Sequence, residues 1–126
     1  MIIGIGADLV DIQRIRKIVD RFGDRFLKRI YSPKELAFCQ KRHDPSPCLA
    51  KRFAAKEAFV KALGTGCRDG IWFGDVELLN DAAGRPYLVI NGQAALHLTR
   101  LGVTSTHVSI SDEGGFALAF VVMEGS

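Results

Sequence analysis

The stretch from residue 52 to residue 66, RFAAKEAFVKALGTG, forms the centre of the predicted fold. On a helical wheel at about 100° per residue, its apolar and small side chains cover nearly the whole circumference. A helix of this kind is usually buried. The same stretch nevertheless carries four charged residues, which are Arg52, Lys56, Glu57 and Lys61. The sequence therefore predicts a buried helix whose charged groups need partners.

Two interpretations account for these charges. In the first, Glu57 and Lys61 form an i,i+4 ion pair in the favoured order, while Arg52 and Lys56 extend their stems to reach solvent. In the second, Glu57 is a metal ligand and the cations bind phosphate, because a charge in a crowded site needs an opposite charge to compensate it. Helix spacing alone leaves both interpretations open.

The opening strand, predicted over residues 2–11, favours the second interpretation. Its alternation places Gly4, Gly6 and Asp8 on one face, where the glycines leave room for another group to approach the backbone. A carboxylate on that face has little structural purpose. Because Mg²⁺ typically takes one or two carboxylates and fills its shell with water and substrate phosphates, Asp8 and Glu57 form a candidate magnesium site.

The other segments predict an α+β fold in one domain over residues 1–126, with a largely antiparallel sheet packed with a long central helix. Ser46 is the predicted N-cap of that helix and Gly64 its end. Further helices are predicted over residues 13–22, 24–30, 33–41 and 92–102. Further strands are predicted over residues 73–80 and 86–90, and as a pair joined by a turn at 113–115.

Composition bounds the class of protein. The chain has 126 residues, 48% of them hydrophobic, with no apolar run long enough to span a membrane and no basic, apolar leader at its start. We therefore expect a soluble, cytoplasmic protein.

The cysteines, Cys39, Cys48 and Cys67, show no CxxC pairing and are expected to be free thiols. Residues 12–30 hold seven basic and two acidic residues, a local charge of +5 compared with +3 overall, which predicts an acidic partner.

Four segments resemble, in order, one family. They are IGADLVDI at 5–12, RFAAKEAFVKALGTG at 52–66, GRPYL at 84–88 and HVSISDE at 107–113. Together they resemble the holo-(acyl-carrier-protein) synthases, which are 4′-phosphopantetheinyl transferases. The resemblance implies that coenzyme A donates its phosphopantetheine arm to a serine of apo acyl carrier protein, releasing adenosine 3′,5′-bisphosphate. Such phosphoryl transfer depends mainly on positioning and charge neutralisation.

The resemblance also implies roles for particular residues. Asp8 and Glu57 would hold Mg²⁺ at the coenzyme A diphosphate, and Lys61 would neutralise charge during transfer. A water on the metal, or a carboxylate, would take the serine proton. The nucleotide would meet five further residues: Arg52 and His107 at its 3′-phosphate or neighbouring phosphates, and Gly84, Arg85 and Pro86 along the adenine. Without the resemblance, an ordinary hairpin turn and a histidine satisfied at an interface remain the alternatives.

The same resemblance implies a partner for the basic segment at residues 12–30, since acyl carrier proteins are small and acidic. The predicted docking residues are Arg14, Lys17, Arg21 and Arg25, beside the apolar anchors Ile15, Ile18 and Phe22. A solvated basic helix face is the alternative. The resemblance further implies a homotrimer with sites at subunit boundaries.

The chain departs from the family pattern at two places. Residues 41–48, KRHDPSPC, contain no clearly aligned phosphate-binding arginine, although Arg42 is a candidate, and Asp112 stands where other members place histidine.

Two rival functions follow from the charges alone. A nucleic-acid-binding module lacks aromatic residues interleaved with the cations. A Mg²⁺-dependent nucleotide hydrolase could use the same carboxylates, but no P-loop sequence is present.

Overall fold

The computed structural model describes residues 1–66 and 70–126, and its elements follow the predicted order. The helices are α1 (Ile12–Phe22), α2 (Asp24–Ile30), α3 (Pro33–Gln40), α4 (Ser46–Leu63) and α5 (Gly92–Leu101). The strands are β1 (Ile2–Asp11), β2 (Val76–Asn80), β3 (Pro86–Ile90), β4 (Val103–Glu113) and β5 (Phe116–Gly125). Within the described ranges, no helix combines the length and apolar character needed to cross a membrane.

In the described ranges, two antiparallel sheets packed with helices confirm the predicted α+β class. One has the strand order β1-β5-β4, and the other is the β2-β3 hairpin. Two predicted boundaries are wrong. The strand expected from residue 73 begins at Val76, because Phe73–Asp75 forms a 3₁₀ turn. Ser46 is the first helical residue of α4 rather than its cap, and its N–H donates to Asp44 Oδ1 at 3.1 Å.

Helix α4 lies directly against β1, and the glycines of the strand explain the approach. A Cβ placed on Gly6 would overlap the carbonyl oxygen of Ala58, and one placed on Gly4 would overlap that of Ala62. The close backbone contact predicted from the two glycines is thus present, and the approaching group is the helix itself. Asp8, the next residue on this face of β1, therefore points to the same helix.

A buried ion pair joins α4 to α3 and β2. Lys56 and Glu35 are both fully buried, and Lys56 Nζ donates to Glu35 Oε1 at 2.8 Å. The ammonium also donates to the backbone carbonyls of Phe73, at 3.1 Å, and Val76, while Glu35 Oε2 accepts from Leu78 N at 3.1 Å. Desolvation lowers the pKa of Lys56, and the Glu35 carboxylate opposes that shift. The expectation that Lys56 extends to solvent is wrong, because its charge has a complete set of internal partners.

The cysteine expectation is wrong for two of the three residues. Cys39 of α3 and Cys48 of α4 are joined by a disulfide, nine residues apart in sequence. Both side chains are buried, at 0% and 2% exposure. Sequence spacing missed this pair because the partners are brought together by the packing of α3 on α4. Cys67 lies outside the described residues.

Candidate active site

Asp8, Glu57 and Lys61 meet where β1 crosses α4. Lys61 Nζ donates to Asp8 Oδ1 at 2.8 Å and to the carbonyl oxygen of Ala7 at 3.2 Å. The Asp8 side chain is 16% exposed, whereas that of Lys61 is 54% exposed. The i,i+4 pair between Glu57 and Lys61 is not among the ion pairs of the described residues, because Lys61 is engaged by Asp8 on the neighbouring strand.

The electrostatics of this group favour a cation between the carboxylates. Burial raises the pKa of Glu57, and the nearby charge of Asp8 raises it further, while the cations Lys61 and Arg14 act in the opposite direction. The hydrogen bond to Asp8 raises the pKa of Lys61. A carboxylate whose ionised form is disfavoured by burial and by a neighbouring carboxylate suits a hard divalent cation, which prefers oxygen ligands.

The donor set also limits what such a cation could be. In the described part of the chain, no group of three or more His, Cys, Asp or Glu side chains could hold a metal. A cation at Asp8 and Glu57 would therefore take most of its ligands from water or from a bound substrate. Mg²⁺ commonly binds in this manner, whereas structural zinc sites require four protein ligands. The residues present thus fit magnesium.

Arg52 lies apart from the group formed by Asp8, Glu57 and Lys61, and its side chain is buried. Its side chain is 2% exposed, so the expectation that it extends to solvent is wrong. Nη2 donates to Asn80 Oδ1 at 2.7 Å, Nη1 contacts Cys48 Sγ at 3.3 Å, and the guanidinium lies 4.5 Å from the centroid of the Phe38 ring. Its Nε has no hydrogen-bond partner among the residues described. The guanidinium lines a cavity of about 280 Å³ that Lys34, Phe38, Asn80 and Tyr87 also line.

The predicted adenine-side turn connects β2 to β3. Asp81 Oδ1 accepts hydrogen bonds from Ala83 N and Arg85 N, both at 2.9 Å, and Gly84 has a φ of 87° that favours glycine. A cavity of about 290 Å³ lies beside this turn. Its lining includes Arg85, Pro86, Tyr87 and His107. The structure therefore brings together the turn and the histidine that the sequence linked only through the family resemblance.

His107 lies in the middle of β4. Its Nε2 is 3.0 Å from Glu124 Oε1, and Ser105 Oγ donates to the same carboxylate oxygen at 3.2 Å. These hydrogen bonds lower the pKa of Glu124. Sequence reasoning missed Glu124, since its contact with His107 depends on the pairing of β4 with β5.

The predicted docking segment forms one wall of an apolar and basic groove. Helices α1 and α2 line a cavity of about 420 Å³, to which Arg14, Arg25, Ile18 and Phe22 contribute. Lys17 and Arg21 are exposed on α1 without lining this cavity. The prediction that Ile15 is an apolar anchor for the carrier is wrong, because Ile15 is fully buried in the core.

Arg14 connects this groove to the carboxylates. Its guanidinium lies 5.7 Å from the centroid of the Phe53 ring, and its charge opposes the rise in the pKa of Glu57. A molecule bound in the groove would therefore approach the group formed by Asp8, Glu57 and Lys61.

Arg42 and Asp112 lie where the sequence departs from the family pattern, and each contacts a nearby residue. Arg42 Nη1 donates to the carbonyl oxygen of Phe38 at 3.0 Å, and its guanidinium stacks 4.4 Å from the centroid of that ring. Asp112 forms an ion pair with Lys51 at 3.0 Å, which ties β4 to α4.

In one chain the predicted residues form separate groups. Asp8, Glu57 and Lys61 form one, Arg52 lies in the cavity beside Asn80, and Arg85, Pro86 and His107 form another. Among the residues described, a cavity beside His107 and the hairpin turn, and another beside His107 and Phe120, include no residue of the first group.

Comparisons with known proteins cover nearly the whole chain. The family model of the 4′-phosphopantetheinyl transferase superfamily matches residues 4–121. The chain is 50% identical over 127 residues to a holo-[acyl-carrier-protein] synthase of Alkalilimnicola ehrlichii, covering 100% of this chain and 99% of that protein.

Solved structures agree. The holo-[acyl-carrier-protein] synthase from Neisseria meningitidis has a TM-score of 0.90 and 42% identity, with coverage of 98% of this chain and 99% of that chain. The synthase from Helicobacter pylori, solved in complex with coenzyme A, has a TM-score of 0.84 and 35% identity, with coverage of 95% and 99%.

Proposed function

Because the chain belongs to the 4′-phosphopantetheinyl transferase superfamily, we propose that it acts as a holo-(acyl-carrier-protein) synthase. It transfers the 4′-phosphopantetheine arm of coenzyme A to a serine of apo acyl carrier protein and releases adenosine 3′,5′-bisphosphate. The resemblance predicted from the four sequence segments is confirmed. The observation that carries the proposal is the convergence of Asp8, Glu57 and Lys61 beside the groove lined by Arg14.

The chemistry is a displacement at phosphorus. The serine oxygen forms a bond to the phosphorus that carries the pantetheine arm, and the bond to the bridging oxygen of the diphosphate breaks. Asp8 and Glu57 would hold Mg²⁺, which supplies positive charge to the diphosphate when bound. The ammonium of Lys61 is anchored by Asp8 yet more than half exposed, so it can donate to a phosphate oxygen as charge develops. The serine proton passes to a carboxylate or a water at this group.

The nucleotide portion would occupy the two cavities near the β2-β3 hairpin. Arg52 provides positive charge at the floor of one cavity, and Lys34 provides charge at its edge, which suits the 3′-phosphate. Gly84, Arg85 and Pro86 would lie along the adenine, with His107 on the other wall of the neighbouring cavity. The buried Nε of Arg52 has no hydrogen-bond partner among the described residues. Because buried polar groups are normally hydrogen-bonded, this supports the binding of a ligand with an acceptor atom there.

The carrier would dock on the groove of α1 and α2, with Arg14 as the contact nearest the transfer site. Arg14→Glu is expected to raise the KM for apo carrier on the order of ten-fold, with a much smaller change in kcat, because a charge reversal repels an acidic partner. Steady-state kinetics with varied carrier and salt would measure it.

Arg100→Glu on α5 is the matched control, since it changes the net charge equally at an exposed position outside the groove. A KM for the carrier that is the same in both variants would remove Arg14 from the docking surface.

The apolar outer face of the β1-β5-β4 sheet supports a homotrimer. Five large side chains on this face are between 44% and 61% exposed: Ile5, Leu9, Phe116, Leu118 and Phe120. Strand pairing places them together, since Leu9 lies opposite Leu118 and Phe120 lies opposite Ala7. A contiguous apolar face of this kind marks an interface. A cavity lined by His107 continues onto it at Phe120 and Val122, so a neighbouring subunit would complete the site.

Leu118→Arg is expected to dissociate the trimer and abolish most transfer, because a charge would be buried in each apolar contact. Sedimentation velocity would report the change in mass alongside an activity assay. Leu96→Arg on α5 is the control, because Leu96 is 51% exposed but lies away from this face. A Leu118→Arg protein that keeps the wild-type mass would exclude this face as the interface.

One assay tests the function as a whole. Coenzyme A, Mg²⁺ and apo acyl carrier protein are incubated with the protein, and the carrier is weighed by mass spectrometry. A gain of one phosphopantetheine that is lost with EDTA supports the transferase and its metal requirement. Bisphosphate released without a carrier would instead indicate a nucleotide hydrolase, and a shift of oligonucleotide mobility would indicate nucleic-acid binding.

A further inference from the structure

Asn80, the last residue of β2, connects the two nucleotide-side cavities through one side chain. Its Oδ1 accepts from Arg52 Nη2 at 2.7 Å, and its Nδ2 donates to the carbonyl oxygen of Gly84 at 3.0 Å. The first bond reaches the floor of the Arg52 cavity, and the second reaches the Gly84–Pro86 turn. The side-chain amide accepts one of these bonds and donates the other, whereas a carboxylate at the same place could not donate.

The absence of charge on the Asn80 side chain matters for anion binding as much as its geometry does. No carboxylate of a described residue lies within ion-pair distance of Arg52. Asn80 therefore orients the guanidinium without cancelling its positive charge. An anion in the cavity would meet a cation that is fixed in direction and has no carboxylate in contact with it among the described residues, which favours binding.

The bond to Gly84 acts on the neighbouring cavity. Asn80 pairs with Pro86 in the ladder between β2 and β3, so its amide closes the base of the turn. Asp81 holds the same turn independently, through its hydrogen bonds to Ala83 and Arg85. Removing the Asn80 amide would therefore loosen the Gly84 carbonyl while the hairpin itself remains folded.

We propose that Asn80 is a positioning residue that links phosphate binding at Arg52 to placement of the Gly84–Pro86 turn against the nucleoside. This inference rests on the proposed use of coenzyme A. It makes Asn80 a determinant of the preference for coenzyme A over 3′-dephospho-coenzyme A, which lacks the phosphate that Arg52 would meet.

Calorimetric titration of the assembled protein with each of the two ligands, in the presence of Mg²⁺, tests the inference. For Asn80→Ala the Kd of coenzyme A is expected to rise roughly ten-fold or more, as for a lost hydrogen bond to a charged group. The Kd of the dephospho ligand is expected to rise only about two- to three-fold, through the turn alone. Asn80→Asp should likewise remove most of the preference, because the new carboxylate neutralises Arg52 at nearly unchanged size.

Asn91→Ala is the matched control, since it removes the same amide from an exposed position where the side chain makes no capping hydrogen bond. The kcat of Asn80→Ala at saturating coenzyme A is expected to stay within about three-fold of wild type, because binding rather than the reacting centre is altered. An equal loss for both ligands, or an unchanged preference in Asn80→Asp, would overturn the inference. Failure of the wild-type protein to modify the carrier would instead count against the proposed function, since the ligand preference is measured without turnover.

Discussion

Glu57→Gln is expected to lower the rate of phosphopantetheine transfer by roughly 10²–10³-fold or more, the range seen when a charge-stabilising group is removed from an active site. Glutamine keeps the size of the side chain but not its negative charge. Of the two proposed magnesium ligands, only Asp8 would then be an acidic side chain, and Asp8 already contacts Lys61 at 2.8 Å. Single-turnover transfer to the carrier, followed by mass spectrometry, measures the loss.

The same variant is expected to fold at least as stably as the wild-type protein. Burial and the charge of Asp8 raise the pKa of Glu57, so its ionised form is disfavoured in the folded chain. A folded-state pKa raised above the unfolded value means that ionisation at neutral pH costs stability, and the neutral glutamine removes that cost. An unchanged or higher Tm together with lost activity would separate a role in chemistry from a role in folding.

Glu113→Gln provides the control, because Glu113 is an exposed carboxylate at the end of β4. It should leave both rate and Tm unchanged. If Glu57→Gln retained wild-type activity at low Mg²⁺ concentration, Glu57 would not be a metal ligand. Residual activity that recovers as Mg²⁺ is raised would agree with a weakened metal site.

The fold was predictable because its main signals are local. The small and apolar circumference of α4 and the glycines of β1 each act within one segment, and they meet because only glycine allows the strand to approach Ala58 and Ala62 so closely. The helix predicted over residues 33–41 likewise begins with a four-residue signal, because Ser32 and Glu35 form a capping box in the structure. Such patterns specify elements and faces without knowledge of distant partners.

The side-chain partners of the charged residues were less predictable. Spacing on α4 suggested that Lys61 pairs with Glu57, but its partner is Asp8, 53 residues away. Arg52 and Lys56 looked like solvent-facing cations, yet Asn80 and Glu35 hold them inside. These contacts depend on how α3 and the β2-β3 hairpin pack on α4, which no local pattern encodes.

Disrupting the buried Glu35–Lys56 pair is expected to have the largest effect on stability. Lys56→Met keeps a long unbranched side chain but leaves the Glu35 carboxylate buried without its cation. Removing one member of a buried pair typically costs about 3–5 kcal/mol. The backbone carbonyls of Phe73 and Val76 would lose their donor as well, which adds to the loss. Urea denaturation followed by circular dichroism would measure the free energy of unfolding.

Lys51→Met, on the same helix, is the matched control for this change. Lys51 pairs with Asp112, but their side chains are 26% and 37% exposed, so the pair is solvated and its loss should cost at most about 1 kcal/mol. Glu35→Gln combined with Lys56→Met should lose less stability than Lys56→Met alone, because no uncompensated charge remains inside. If Lys56→Met and Lys51→Met destabilise the protein equally, the Lys56 ammonium does not stabilise the junction of α3, α4 and β2. If the double variant is less stable than Lys56→Met, the stabilising role of Glu35 lies in its hydrogen bonds to Ser32 N and Leu78 N rather than in its charge.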